Sequence, residues 1–340
     1  MVTRRRLTQA ARWVAALVIL TVAGAAEAGA DGFGPFPARN FQPFQLLFLG
    51  MFGDRAEVVG KGAFDVRVEL AETSTVFNEQ SAEVTARVKV EQLRTGLYLR
   101  YGWLDRLEVG IEVPVLYRYR GFLSGAITAT ERATTGLAPA RKALQGTGFV
   151  LNLSRNGQTV FGGGEGELGL GDITLISKYQ FLDQSAQVPA VALRFAVKVP
   201  SGDSSKVFGS GHADVGLGLA VEKSLATRWI LYGNVNGIFP TGPVDGLTVQ
   251  PAVSALTAAE YLWSPTVSFV AQFDYYSSPF HGTGTGILDD GVTEATVGFN
   301  YRLRKNLLWQ VYGVENLDFI RGSAADFTLS TLVTYRFGSQ

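Results

Sequence analysis

Apolar residues alternate with polar or small ones along most of this sequence, and this alternation limits the fold more than any other feature. In residues 107–119 every odd position is Leu, Val, Ile or Tyr, whereas the even positions are Glu, Gly, Glu, Pro, Leu and Arg. Because neighbouring side chains of a strand point to opposite faces, residues 97–119 are predicted to form a β-hairpin with one apolar face. Such a hairpin suits a soluble sandwich or a membrane barrel, and the rest of the chain has to distinguish the two.

The N-terminus carries the pattern of an export signal. Four arginines at positions 4, 5, 6 and 12 surround the start of an apolar run at 13–22, and small residues at 26, 28 and 30 offer cleavage sites. This order predicts a secretory signal peptide at residues 1–30, cleaved near residue 28 or 30. Beyond it, no stretch has the ~18 consecutive apolar residues of a membrane helix. A membrane location would then require a closed barrel, the other fold that satisfies every backbone hydrogen bond in hydrocarbon.

Alternating segments recur about twelve times between residues 61 and 340, and their connections are short and long in turn. Aromatic residues such as Tyr101, Trp263 and Phe337 stand near predicted strand ends, where membrane interfaces favour them. An even strand number with short turns at one end is typical of outer-membrane barrels. We therefore predict an all-β fold, a transmembrane antiparallel up-and-down β-barrel of about twelve strands in the bacterial outer membrane. A soluble sandwich is the alternative, but it explains neither the loop lengths nor the aromatic strand ends.

The first part of the barrel pattern is less regular than the rest. A strand at 63–71 precedes a polar gap, and residues 168–181 are predicted to form one strand. In the long strand that starts at Val84, the apolar phase slips near residues 91–95. This slip indicates either a β-bulge or a strand that projects beyond the bilayer.

The longest excursion between strands is 120–167. It is predicted to contain a short helix within 128–143 and a small hairpin at 149–161. Asn156-Gly157 is a strong type I′ turn signal for that hairpin. Long ordered loops are usually functional, so this excursion is also a candidate external contact surface.

Several stretches resemble known outer-membrane proteins. The closing segment, 329–337 (LSTLVTYRF), resembles the C-terminal strand that the barrel-assembly machinery recognises, although three residues follow its last aromatic. Residues 37–44, 97–114, 169–175 and 197–203 with 209–214 resemble an uncharacterised bacterial family of outer-membrane barrels, a domain of unknown function. The resemblance covers nearly the whole chain after residue 30. It implies a barrel in contact with outer-membrane lipids and with the assembly machinery, and it implies no substrate.

Residues 31–60 form a Phe- and Pro-rich segment before the first predicted strand. Prolines at 35, 37 and 43 prevent one regular strand here. One interpretation is a plug folded into the barrel mouth, with Phe41, Phe44 and Phe48 as its candidate residues. The other is a periplasmic leader, or a short extra strand around residues 45–49.

The strand faces opposite the apolar ones carry charges of both signs, so neither an anion-selective nor a cation-selective excess is predicted. These side chains either line a narrow water-filled path or pair across the lumen and fill it; we favour an open or gated path. The candidate lumen-lining residues are Arg100, Glu108, Glu112, Arg118, Asp172, Lys178, Arg194, Lys198, Asp214, Glu222, Glu294, Arg302 and Arg336.

An enzymatic alternative rests on few residues. A lipid-modifying barrel needs a nucleophilic serine beside a histidine, and Ser210 precedes His212 by two positions, so both would share one face of a strand. The motif 164–169 matches G-x-G-x-x-G but continues into a strand, whereas a dinucleotide site needs a following helix. The chain has no cysteine and two histidines, and we predict no metal and no cofactor.

The sequence therefore predicts a passive or gated pore for an unknown small solute. The formal net charge of zero gives no reason to expect nucleic acid as a partner. A lipid-modifying enzyme and a structural or adhesive surface protein remain the alternatives.

Overall fold

The computed structural model of the protein describes residues 32–225, 227–244, 246–317 and 325–338. The predicted signal peptide, 1–30, lies outside them. Twelve antiparallel barrel positions close into a ring, because the first strand pairs with the last, from Phe64 opposite Phe337 to Ser74 opposite Phe327. The predicted barrel and its strand number are confirmed. The strands are β1 (Phe64–Gln80), β2 (Val84–Leu104), β3 (Leu107–Tyr119), β4 (Val150–Arg155), β5 (Gln158–Gly163), β6 (Leu168–Leu170), β7 (Ile173–Leu182), β8 (Ala190–Val199), β9 (Asp214–Ser224), β10 (Trp229–Pro240), β11 (Ala252–Leu262), β12 (Val267–Tyr276), β13 (Val292–Arg304), β14 (Leu307–Asn316) and β15 (Phe327–Phe337).

Two-residue periodicity decides which face of each strand meets lipid. In the hairpin β2–β3, Leu99 and Ile111 pair on the outer face, while Glu108 and Glu112 are buried inside. Apolar side chains of the outer face stay exposed around the barrel, as lipid contact requires. At the short-turn end, aromatic pairs such as the stacked Phe64–Tyr101 and the tilted Trp229–Tyr261 form an interfacial girdle.

Two details of β1 and β2 differ from the prediction. The polar gap after residue 71 is part of β1, which runs unbroken to Gln80 and pairs with β2 throughout. The bulge near 91–95 is absent, because the register of β1 and β2 is continuous from Phe64–Tyr101 to Gln80–Thr85. Even positions of β2 face inward from Val84 to Gly102, and their change from Val90 to Gln92 produces the apparent phase slip.

The predicted single strand at 168–181 is two strands, β6 and β7, which together fill one position of the barrel. Both pair with β3, on either side of a break at Gly171 and Asp172. The break lies opposite Pro114, whose carbonyl accepts a hydrogen bond from Gly171 N. Proline has no backbone N–H and cannot donate the reciprocal hydrogen bond, so the ladder is interrupted there.

The long loops form a cap over one end of the barrel. Strand β4 pairs with the long-loop end of β2, so the hairpin β4–β5 extends the sheet at that end. The turn of this hairpin, at Asn156 (φ 51°) and Gly157 (φ 78°), confirms the predicted type I′ geometry. The helical part of the excursion comprises α1 (Leu123–Ala133) and α2 (Pro139–Ala143), and a further short helix, α3 (Gly286–Asp289), lies before β13. Within the described ranges, no helix is long and apolar enough to cross a membrane.

Candidate functional site

Residues 32–59, here called the lumenal segment, run through the inside of the barrel. The segment starts at the short-turn end, where Phe33 N donates to both oxygens of Glu260 at 3.1 Å. It reaches the long-loop end at residues 44–48 and returns to the short-turn end, where Val59 N donates to Glu108 Oε2 at 2.8 Å. Residues 45–47 form a 3₁₀ turn, so the predicted extra strand around 45–49 is wrong.

The three candidate plug residues are buried. Phe41 is 1 % exposed, and Phe44 packs on Phe161 and Phe77 with ring centroids 5.8 and 6.1 Å apart. Phe48 meets Phe280 edge to face at 5.1 Å. The tip of the segment thus joins an apolar cluster with the loops of the long-loop end. The fully buried members of this cluster include Val84, Ala86, Val88, Leu151, Leu153, Val207, Val244, Leu247, Ile287 and Leu288.

Wall side chains satisfy the irregular backbone of the segment. Phe36 N donates to Gln272 Oε1 at 3.0 Å, and Leu49 N donates to Asp214 Oδ2 at 2.8 Å. Phe52 O accepts from Arg194 Nη2 at 2.8 Å. Buried peptide groups need such partners, and non-helical backbone at membrane depth persists only when protein or water supplies them.

Ion pairs made by three residues of the segment hold it to the wall. Arg39 Nη1 lies 2.9 Å from Glu112 Oε1, and Arg55 Nη2 lies 2.6 Å from Glu222 Oε1. The third is Asp54, whose carboxylate lies between two cations of the wall. Its two oxygens lie 2.9 Å from Arg100 Nη1 and 3.3 Å from Lys178 Nζ. Removing one partner of such a buried pair costs much stability, because the other partner is left as a buried charge without a counter-ion.

The predicted lumen-lining residues occupy inward-facing strand positions, except Asp172, which is buried in the break between β6 and β7. Several of them bind the segment or the loop that follows β8: Lys198 Nζ donates to Leu47 O at 2.8 Å, and Arg118 donates to the carbonyls of Lys206 and Val207. Arg302 and Arg336 are half-buried near the short-turn end. The buried members are Arg100, Glu108, Glu112, Arg118, Asp172, Lys178, Arg194, Lys198, Asp214, Glu222 and Glu294.

The prediction missed an inner network on β1 and β2. Glu69 accepts from Arg94 Nη1 at 2.7 Å, from Tyr98 O–H at 2.5 Å and from Tyr312 O–H at 2.9 Å. Continuing the even parity of β2 below residue 100 would have found Arg94 and Tyr98. The odd parity of β1 would have found Glu69. Arg39, Asp54 and Arg55 lie in the irregular lumenal segment, so no strand periodicity could have identified their ion pairs with the wall.

The structure does not have the freely open path that the sequence favoured. The lumenal segment occupies the interior, and cavities beside it include one of about 80 Å³ next to Phe48 and one of about 160 Å³ at the short-turn end. Wall charges pair with the segment and with one another, so the alternative of a filled lumen describes this conformation.

Ser210 and His212 do not form a nucleophile–base pair. The Ser210 hydroxyl donates to His212 O at 3.0 Å and accepts from Lys198 Nζ at 2.6 Å. Ser210 is buried whereas His212 is exposed, so the predicted common face is wrong. Lys198 Nζ also lies 2.6 Å from Asp172 Oδ2, so its amine is held in an ion pair.

The fold is similar to that of outer-membrane barrels of known structure. The COG4313 outer membrane channel from Pseudomonas putida F1 superimposes with a TM-score of 0.57 at 16 % identity, covering 83 % of this chain and 98 % of that one. The NanC porin gives 0.46 at 9 % identity (80 % and 98 % covered), and the Pseudomonas putida toluene transporter TodX gives 0.39 at 10 % (88 % and 98 % covered). No curated protein sequence matches the chain.

The superposition on the COG4313 channel, the closed barrel and the apolar outer belt show the fold of an outer-membrane β-barrel. A family-level match extends over almost the entire sequence, residues 13–337. The chain therefore belongs to the family described as protein of unknown function (DUF3187).

Proposed function

We propose that this protein is a gated outer-membrane channel for a small solute, and that the lumenal segment is its gate. The observation that carries the proposal is the way the segment is attached. Residues 32–59 join no strand of the barrel; side-chain hydrogen bonds and ion pairs hold them to the wall. The segment can therefore move without breaking a single strand pairing of the ring.

The position of its two ends supports the same proposal. Both ends lie at the short-turn end, next to Glu260 and Glu108. The tip alone crosses to the long-loop end. Withdrawal toward one side would therefore require no threading of the chain through the barrel. The charged side chains to which the segment's backbone now hydrogen-bonds, including Arg194, Lys198 and Asp214, would then face water.

A reversible covalent lock tests the gate. A Cβ built at Gly216 on β9 lies 2.5 Å from Met51 Sδ and 3.2 Å from Met51 Cγ, so the two positions are in side-chain contact and are suitable for an engineered disulfide. Since the natural chain has no cysteine, Met51→Cys with Gly216→Cys forms one defined bridge. The double variant is reconstituted in planar bilayers, and its conductance is measured before and after reduction.

We expect no conductance from the oxidised double variant and recovery on reduction. Each single cysteine variant is the control and responds to neither treatment. A form lacking residues 33–58 should conduct continuously. If the oxidised, bridged protein conducts as well as the reduced one, the segment is not the gate. If the deletion form is folded and electrically silent, and liposomes loaded with solute do not swell, the protein is not a channel.

We also propose that β15 is the strand that the barrel-assembly machinery recognises. Phe337 ends this strand and is half-exposed on the outer face, next to Tyr335 with ring centroids 4.4 Å apart. Phe337→Ala should lower the yield of folded barrel in cells while leaving refolding from urea into detergent unchanged. Equal loss in both settings would indicate a role in stability instead.

A further inference from the structure

The cavity of about 160 Å³ at the short-turn end, here called the vestibule, contains more positive than negative charge. It lies between the lumenal segment and the wall, and its lining residues come from β1, β2, β3, β7, β13, β14 and β15. Eight Lys and Arg side chains line it, against four Asp and Glu side chains. When Glu222 is included, which pairs with Arg55 from just outside the lining, the vestibule carries a formal excess of three positive charges (8 − 5 = 3).

The carboxylates of the vestibule are already engaged. Asp54 and Glu108 pair with Arg100 and Lys178, at 2.9 to 3.3 Å. Asp65 binds Arg336 through two hydrogen bonds of 2.6 and 2.7 Å. Glu57 pairs with Arg55. Among the described residues, no carboxylate lies within 4 Å of Arg67, Arg302, Arg304 or Lys305.

Two of these arginines are held in place by groups that leave charge available. Arg67 Nε donates to Thr334 Oγ1 at 3.0 Å, which fixes one edge of its guanidinium on the wall. Arg302 lies over the ring of Phe33 with its Cζ 4.5 Å from the centroid. A guanidinium stacked on a ring keeps its N–H groups at the edge, free to bind an acceptor.

A third arginine presents an unsatisfied donor. Arg100 is only 8 % exposed, and its Nη2 has no hydrogen-bond partner among the described residues, although its Nη1 is paired twice. Buried donors nearly always have a partner. The vestibule thus offers fixed guanidinium groups and a buried N–H, which together lack an anionic acceptor.

We propose that the vestibule is a binding site for a small oxyanion, a solute carrying a carboxylate or a phosphate group. Guanidinium forks match the two oxygens of either group and form charge-assisted hydrogen bonds with them. For transport this inference rests on the proposed channel function and assigns it a class of solute. As a binding site it stands alone, because equilibrium binding requires no conduction.

Calorimetric titration of the full-length protein, refolded in lipid-free detergent at low salt, measures the site directly. The probes are sodium phosphate and sodium succinate. Arg302→Gln and Arg67→Gln should each weaken binding about tenfold or more, and added NaCl should weaken it further. Arg87→Gln is the matched control, since Arg87 is exposed near the long-loop end and its loss removes the same charge. The folded state of each variant is checked by its heat-modifiable electrophoretic mobility.

A second variant acts in the opposite direction. Asp65→Asn removes the partner of Arg336 and should strengthen binding several-fold, because Arg336 then becomes available to the anion. The proposal is overturned if the folded wild type takes up neither probe, if Asp65→Asn leaves the affinity unchanged, or if Arg87→Gln costs as much as Arg302→Gln. Binding of dispersed phospholipid in place of both free probes would assign the vestibule to a lipid headgroup and also overturn it. Silence in bilayers with intact binding would refute the channel and leave the vestibule site standing.

Discussion

Neutralising Asp54 should loosen the gate more than any other single change in the lumenal segment. Its carboxylate lies 2.9 Å from Arg100 Nη1 and 3.3 Å from Lys178 Nζ, and it also accepts from Arg55 N at 2.9 Å. In Asp54→Asn, the two wall cations keep one carboxylate, that of Glu108, at 3.2 Å from each. One buried positive charge is thereby left without a counter-ion.

Removing one partner of a buried pair costs ~3–5 kcal/mol. At ~1.4 kcal/mol per factor of ten, this would raise the ratio of withdrawn to inserted segment by about 10²- to 10⁴-fold. The measurement is the fraction of time that single barrels conduct in planar bilayers. Asp183→Asn is the control, since the Arg106–Asp183 pair is exposed on the surface, where such pairs contribute little.

A second substitution tests whether Asp54→Asn acts through the unpaired positive charge or through a change in side-chain packing. Adding Lys178→Gln to Asp54→Asn removes the excess cation and leaves Arg100 with Glu108, so the conducting fraction should fall back toward that of the wild type. The reasoning fails if Asp54→Asn conducts no more often than the wild type. It also fails if Asp183→Asn opens the barrel equally, or if the double variant opens it further.

The remaining predictions concern the wall, the exit of the segment and its tip. Ile111→Arg should make the free energy of folding into bilayers less favourable by ~2–4 kcal/mol, the cost of a cation on a lipid-facing position. Glu112→Gln should alter conductance and leave insertion intact. Equal effects of the two variants on insertion would contradict the face assignment. Gly102→Ala should displace the returning limb and increase conductance, because a Cβ there overlaps the carbonyl of residue 60. Phe44→Ala should destabilise the cap by ~3–5 kcal/mol and increase cleavage of the external loops by added protease, whereas Phe122→Ala, at a side chain 64 % exposed, should not.

The inner network could have been predicted more fully from sequence than it was. Period-two parity placed Arg100, Glu112 and Lys198 on inward positions, and the same parity extends to Arg94 and Glu69. Which of these charges pair could not be predicted, because pairing depends on strands far apart in sequence. Glu69 and Tyr312 are 243 residues apart and meet through ring closure.

The sequence by itself determined the barrel, its strand number and the face of each strand, because these follow from a local period of two and from the alternation of short turns with long loops. Only the tertiary structure decided that the lumen is filled. The lumenal segment has no period, and its partners lie as far away as Gln272, 236 residues from Phe36. The location of an irregular segment cannot be predicted from its own sequence. Its backbone N–H and C=O groups are hydrogen-bonded by whichever part of the barrel wall surrounds them.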